Sequence, residues 1–289
     1  MRLVASAVGV GFLLSIAACS ANRPATASSS TVASNASVAA ATTTIAPTSS
    51  AATTEMTTAP TTTVPTPQST TTTVTPTTTS VPVTVATRIA KGTNGRPVVA
   101  LTFDAGADTG NAARILDILA ANHVRASFGV TGRWAELNPE LFRRMAADHQ
   151  IINHTYDHRS WTGLSTKTRP LTDQERLAEI VRADDVYQRL AGITAAPFFR
   201  APFGDLDKAA DRLIAAHGYS YDVLYTTDSR GWQGADPAAI ERNCRAGDVA
   251  GDIIVMHVGS RSRDVEALQQ VIDDIRSAGL TPGAVTDLI

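Results

Sequence analysis

The sequence predicts an α/β domain built on parallel strands, and three observations predict it. Short uninterrupted apolar runs, the mark of strands buried on both faces, recur from Pro97 onward. Stretches with apolar residues at helical spacing separate them. Five or six such strand–helix units follow one another, which fits either an α/β barrel or a doubly wound sheet. Both folds place their chemistry where strands end at their carboxyl edges.

The elements follow in order. Residues 98–103 (Val-Val-Ala-Leu-Thr-Phe) form the first buried strand. Residues 111–122 carry Ile115, Leu116, Ile118 and Leu119 at helical spacing. A strand is predicted at 126–130, a helix at 139–147 and a strand at Ile151-Ile152. The longest helix spans 171–191, with acidic residues and arginines interleaved on its wet face. Phe198-Phe199 reads as strand, 208–217 as helix and 221–225 as strand. A helix over 236–245, a strand over 252–258 and a helix over 265–278 complete the domain.

Over all 289 residues, 18% are charged and 5% aromatic, low values for a globular enzyme. The average conceals two unlike parts. Residues 20–87 hold two charged side chains, Arg23 and Glu55, and no aromatic residue. Residues 88–289 hold 23 basic and 26 acidic residues, an ordinary charge density. The chain therefore reads as one domain of 202 residues behind a long polar leader, not as two domains. No run of Lys and Arg occurs, which argues against nucleic-acid and polybasic membrane binding. With two cysteines, Cys19 and Cys244, neither a disulfide framework nor a thiol zinc cluster can be built.

The leader has its own organisation. Arg2 precedes an uncharged run over residues 3–18, the shape of a secretory signal and too short to span a bilayer. The run ends Ile16-Ala17-Ala18-Cys19, which resembles the bacterial lipoprotein box, whose cysteine is lipidated and becomes the mature amino terminus. Ordinary cleavage beside an incidental cysteine is the alternative. Residues 19–87 are rich in Thr, Ser, Ala and Pro, cannot bury enough apolar surface to offset chain entropy, and are expected to be a disordered tether. As a flexible coil such a tether spans roughly 45 Å. The expected localisation follows: export across the cytoplasmic membrane and anchorage at its outer face, in the cell envelope.

Within the domain, five polar residues fall at predicted strand ends: Asp104, His154, Arg200, Asp228 and His257. Each type is useful in catalysis, and the spacing assigns them to five different strands. His154 and His158, four apart, would present both rings on one side of a helical turn and hold one divalent metal as neutral imidazoles. A carboxylate ending a buried strand, as Asp104 does, needs partners, and the permanently charged Arg200 suits that task.

These residues sit in motifs. Thr102-Phe103-Asp104-Ala105-Gly106, His154-Thr155-Tyr156-Asp157-His158, Arg200-Ala201-Pro202-Phe203-Gly204, residues 228–232 and Val255-Met256-His257 occur in this order. Together with 128–132 and 138–141 they resemble the polysaccharide deacetylase family (the NodB homology domain, carbohydrate esterase family 4) over about residues 95–288. The resemblance implies a distorted (β/α) barrel and metal-dependent removal of acetyl groups from glycans. It implies Asp104 as general base, His257 as general acid, His154 and His158 as metal ligands, and the Phe203 N–H as oxyanion donor, where the family usually has tyrosine. Trp232 would wall the acetyl group or a sugar face; a core tryptophan is the alternative.

Two departures stand out. The family's second aspartate in the first motif, its third metal ligand, is Ala105 here, and the acidic residue before the tryptophan of the fourth motif is Gly231. Two histidines alone hold zinc weakly. Asp108 or Asp104 completes the site, or the metal is weakly held, or activity is lost. Asp228 is the candidate to orient His257 in place of the missing acid. The function expected is a deacetylase using one divalent metal (zinc, or cobalt or another) on an N-acetylated cell-wall glycan, above all peptidoglycan, with no obligate protein partner. The alternatives are a glycan-binding pseudoenzyme and an O-acetyl esterase acting on xylan or another exogenous polysaccharide.

Overall fold

The computed structural model describes residues 84–289. The signal, Cys19 and nearly all of the expected tether lie outside the described residues. The expected boundary after residue 87 falls inside the first strand. β1 spans Thr87–Ile89, Ala86 is already buried, and its N–H bonds to the Asp211 carbonyl at 3.1 Å. Composition could not separate Val85-Ala86-Thr87 from the Thr/Ala/Val tract before it.

The remaining elements alternate much as the periodicity predicts. β2 (Val98–Ala105), α1 (Ala112–Ala121), β3 (Ser127–Val130), α2 (Gly132–Leu137), α3 (Pro139–Asp148) and β4 (Gln150–Asn153) come first. Next come α4 (Asp173–Ala191), β5 (Phe198–Phe199), α5 (Lys208–Ala216), β6 (Tyr221–Val223) and β7 (Thr227–Asp228). The chain closes with α6 (Pro237–Arg245), β8 (Ile253–His257), α7 (Asp264–Ser277) and β9 (Thr281–Gly283). α2 escaped the periodicity because it is barely more than a turn; Thr131 caps it by accepting the Trp134 N–H at 3.2 Å.

The ladders are parallel, in the order β1-β6-β5-β4-β3-β2-β8-β7, with β9 beside the start of β2. Among the described residues no ladder joins β1 to β7, so the barrel is distorted and left open. Strand alternation sends successive side chains to opposite faces, and the core divides accordingly. Val99, Leu101, Phe103 and Ala105 of β2 join the large cluster beneath the helices. Val98 and Ala100 join a second cluster with Ile89, Ile152, Phe198, Val223 and Ile253. That inner cluster takes no residue from any α-helix, as a barrel interior requires and a doubly wound sheet does not provide. Val285 and Leu288, in the closing 3₁₀ turn, plug its floor.

Period two then fixes the mouth. Asp104 shares a face with Val98 and Ala100, His154 with Ile152, Arg200 with Phe198, and His257 with Ile253. Hydrophobic side chains fill the interior from below, and polar ones cap it at the carboxyl edge.

α4 is not the simply amphipathic helix expected. Arg176 and Glu179 are buried, not on a wet face. Arg176 bonds Asp207 at 2.9 Å and the Trp161 carbonyl at 3.2 Å. The helix starts with a capping box, in which Glu175 N–H donates to Thr172 Oγ1 at 3.3 Å and Thr172 N–H donates to Glu175 at 2.9 Å. It stops at Gly192, whose left-handed backbone (φ 66°) suits glycine. No helix among the described residues is long and apolar enough to cross a membrane. Thr172→Ala removes half of the box; it should cost about 1 kcal/mol and lower the melting temperature by about 2–4 °C, read by a calorimetric scan.

Candidate active site

Asp104, the penultimate residue of β2, lies in register with Gly129 on β3 and His257 on β8. Its Oδ1 accepts a hydrogen bond from Arg200 Nη1 at 2.7 Å, and Oδ2 lies 3.7 Å from His154 Nε2. Burial alone would raise its pKa. The Arg200 guanidinium, with the imidazoles of His154 and His257 beside it, outweighs that and holds it at about 2, so the group is an anion at neutral pH. Gly129 makes room for it: a Cβ there would meet Asp104 Oδ1 at 2.5 Å. A glycine inside a buried apolar strand was the available signal for that close approach.

Arg200 follows β5 directly and is almost fully buried. Its Nε donates to the Val223 carbonyl at 3.0 Å, and its backbone N–H to the Asn153 carbonyl at 2.9 Å. The backbone is thus held by one neighbouring strand and the guanidinium by the other before it meets Asp104.

The two histidines meet, though not on a helix. Residues after β4 form a loop in which Thr155 (φ 67°) and His158 (φ 58°) adopt left-handed backbone. These turns bring the rings within 4.8 Å, edge to face, where the spacing predicted a helical turn. A buried carboxylate anchors the loop: Glu179 on α4 accepts the Tyr156 and Asp157 N–H groups at 3.1 and 2.8 Å. His154 Nδ1 faces the Arg200 carbonyl at 2.9 Å. A carbonyl only accepts, so Nδ1 carries the proton and Nε2 turns its lone pair toward Asp104. Burial lowers the pKa of both rings, that of His158 to about 3 with help from His154, so both are neutral.

His154 Nε2 is buried and without a hydrogen-bond partner, and its tautomer is fixed from behind. That is the chemistry of a metal-ligating imidazole with its supporting carbonyl, so the pair fits a divalent cation. The third ligand is another matter. Among the described residues no three His, Cys, Asp or Glu side chains cluster so as to hold a metal. Asp108 is engaged elsewhere: its carboxylate accepts the Ser260 N–H at 2.7 Å and the Ser260 hydroxyl. Ala105 is buried and points to the outer core.

The other predicted residues line the same mouth. Phe203 is half exposed in a left-handed conformation (φ 61°), with its ring 4.7 Å from that of His158. Trp232 is 51% exposed and 6.3 Å from the His257 ring, which excludes the core alternative. Asp228 does not orient His257. Its two oxygens accept the Arg230 N–H at 2.8 Å and the Trp232 Nε1–H at 3.1 Å, so it positions the tryptophan. Tyr225, exposed just beyond the end of β6, was not among the predicted site residues.

Residues 91–221 match the family model described as polysaccharide deacetylase. A peptidoglycan-N-acetylglucosamine deacetylase of Bacillus cereus is 29% identical, over 65% of this chain and 66% of its own length. A bifunctional xylanase/xylan deacetylase of Cellvibrio japonicus is also 29% identical, over 67% of this chain and 28% of its own. The chain therefore spans 66% and 28% of these two relatives. Among solved structures, the T48 deacetylase with substrate superposes with a TM-score of 0.58 at 30% identity, covering 66% of this chain and 89% of that one.

Arg200→Gln would leave Asp104 as an unpaired buried carboxylate and should cost about 3–5 kcal/mol. Adding Asp104→Asn should return part of that loss, measured as a double-mutant cycle by urea denaturation.

Proposed function

The chain belongs to the polysaccharide deacetylase family, and on that premise we propose that its domain is a hydrolase removing acetyl groups from an N-acetylated cell-wall glycan, peptidoglycan first. One observation carries the reading: an ionised Asp104, clamped by Arg200, faces the unpartnered Nε2 of a neutral imidazole 3.7 Å away. An anion and two neutral imidazoles held together in a partly dry mouth suit activation of water beside a cation.

His154 and His158 would hold a divalent metal such as zinc or cobalt, which would supply Lewis acidity toward the acetyl carbonyl and toward water. The protein groups do the rest. Asp104, low in pKa and fixed by Arg200, takes the proton of the attacking water. The Phe203 N–H faces the developing oxyanion. His257, in register with the same carboxylate on the adjacent strand β8, delivers a proton to the leaving amine. The exposed faces of Trp232 and Tyr225 offer apolar surfaces against which a sugar ring can lie.

The substrate assignment draws on the peptidoglycan relative and on the leader. A lipid at Cys19 and a tether over residues 19–87 would keep the domain at the outer face of the membrane, near a stationary polymer. The xylan deacetylase relative supports O-acetyl esters of exogenous polysaccharide as a second substrate class.

The test combines metal content with acetate release. Full-length protein loaded with zinc or cobalt should keep about one ion per chain and release acetate from peptidoglycan. His154→Ala and His158→Ala should each lose the ion. Asp104→Asn should retain it while kcat falls by about 10²-fold or more. Protein that binds no metal and releases no acetate would instead be a glycan-binding pseudoenzyme, and release from acetylated xylan alone would move the substrate.

A further inference from the structure

The fourth motif lacks its acid, and the space that acid's side chain would enter is filled. A Cβ on Gly231 would meet Asp264 Oδ1 at 2.4 Å, Asp264 Cγ at 2.6 Å and Ser262 Oγ at 2.4 Å. Asp264 comes from a different part of the chain, the first residue of α7. Its side chain is fully buried at the end of β8, a costly place for a carboxylate without a purpose.

Its contacts point to His257. Asp264 Oδ2 accepts the His257 backbone N–H at 2.8 Å and the Ser262 hydroxyl at 2.7 Å. Oδ1 is buried without a hydrogen-bond partner, and so is Nδ1 of the His257 ring. Burial pushes the Asp264 pKa up, while hydrogen bonds and the charge of His257 work the other way. The rival acid is committed elsewhere, since both Asp228 oxygens are taken by Arg230 and Trp232.

We propose that Asp264 is the positioning residue for His257, its carboxylate having taken by a tertiary route the place that Gly231 leaves open. It pins the end of β8 through the His257 N–H. It also puts a negative charge on the Nδ1 side of the ring, which favours the Nδ1–H tautomer and leaves Nε2 to exchange the proton with substrate. Gly231 is then required, because any side chain there would expel Asp264. The inference rests on His257 being the proton donor of the proposed reaction.

Two variants and two readouts test it on the full-length chain. Asp264→Asn keeps the shape and the acceptor for the His257 N–H but removes the charge. It should lower kcat about tenfold or more with KM little changed, and a ¹⁵N-histidine spectrum should show the His257 ring losing its Nδ1–H preference. Gly231→Asp alone should be impaired by the clash. Combined with Asp264→Ala, which empties the space and frees the Ser262 hydroxyl to turn, it should recover most of the lost kcat. An Asp264→Asn protein with unchanged ring signals and unchanged kcat overturns the proposal. So does a double variant that folds with a wild-type melting temperature but regains no kcat. His257→Ala separates the two readings: if it leaves kcat intact, the proton-donor assignment fails, while the ¹⁵N spectrum still reports whether Asp264 sets the tautomer.

Discussion

The ion pair between Asp104 and Arg200 crosses the inside of the sheet, and the mouth of the barrel is organised around it. β2 and β5 are three places apart in strand order, with β3 and β4 between them. In a flat sheet that separation is about 14 Å, more than the two side chains can bridge. The 2.7 Å contact therefore demands a sheet curled enough to bring its strand ends face to face. Curling also creates the inner apolar cluster, so the pair and the floor beneath it are two consequences of one shape.

Electrostatic order at the mouth follows from the same pair. The guanidinium keeps Asp104 ionised against burial, and its residue's carbonyl fixes the His154 tautomer. One residue thus prepares both the anion and the lone pair that faces it. His158 is kept neutral by burial and by its neighbour, and its ring closes the pocket against Phe203. Phe203, Tyr225 and Trp232 stand exposed near these groups and offer aromatic faces to a carbohydrate ring.

Much of this was legible in the residues because strands bury alternate positions and release polar ones at their ends. Asp104, His154, Arg200, Asp228 and His257 were placed on five strands by that rule alone, and they stand at β2, β4, β5, β7 and β8. Local geometry was less legible. His154 and His158 meet through two left-handed residues, which spacing cannot distinguish from a helical turn. Partners distant in sequence were least legible. Nothing in a run of polar residues on α4 distinguishes a solvated Glu from Glu179, which holds a loop. Likewise, nothing near Gly231 says that a carboxylate 33 positions later fills its space. The apolar floor was visible as strands, but the plug at Val285 and Leu288 required the fold.

Parallel strands also give the domain a front and a back. All named catalytic candidates stand at the carboxyl rim, while the chain enters β1 at its amino end, beside Ser220 and Asp211, on the floor side. Residues 84–86 therefore approach the domain on the side opposite the catalytic rim and leave the mouth uncovered. A pull on the chain at residue 84 would load the edge strand β1 and its partner β6 before it reached the mouth.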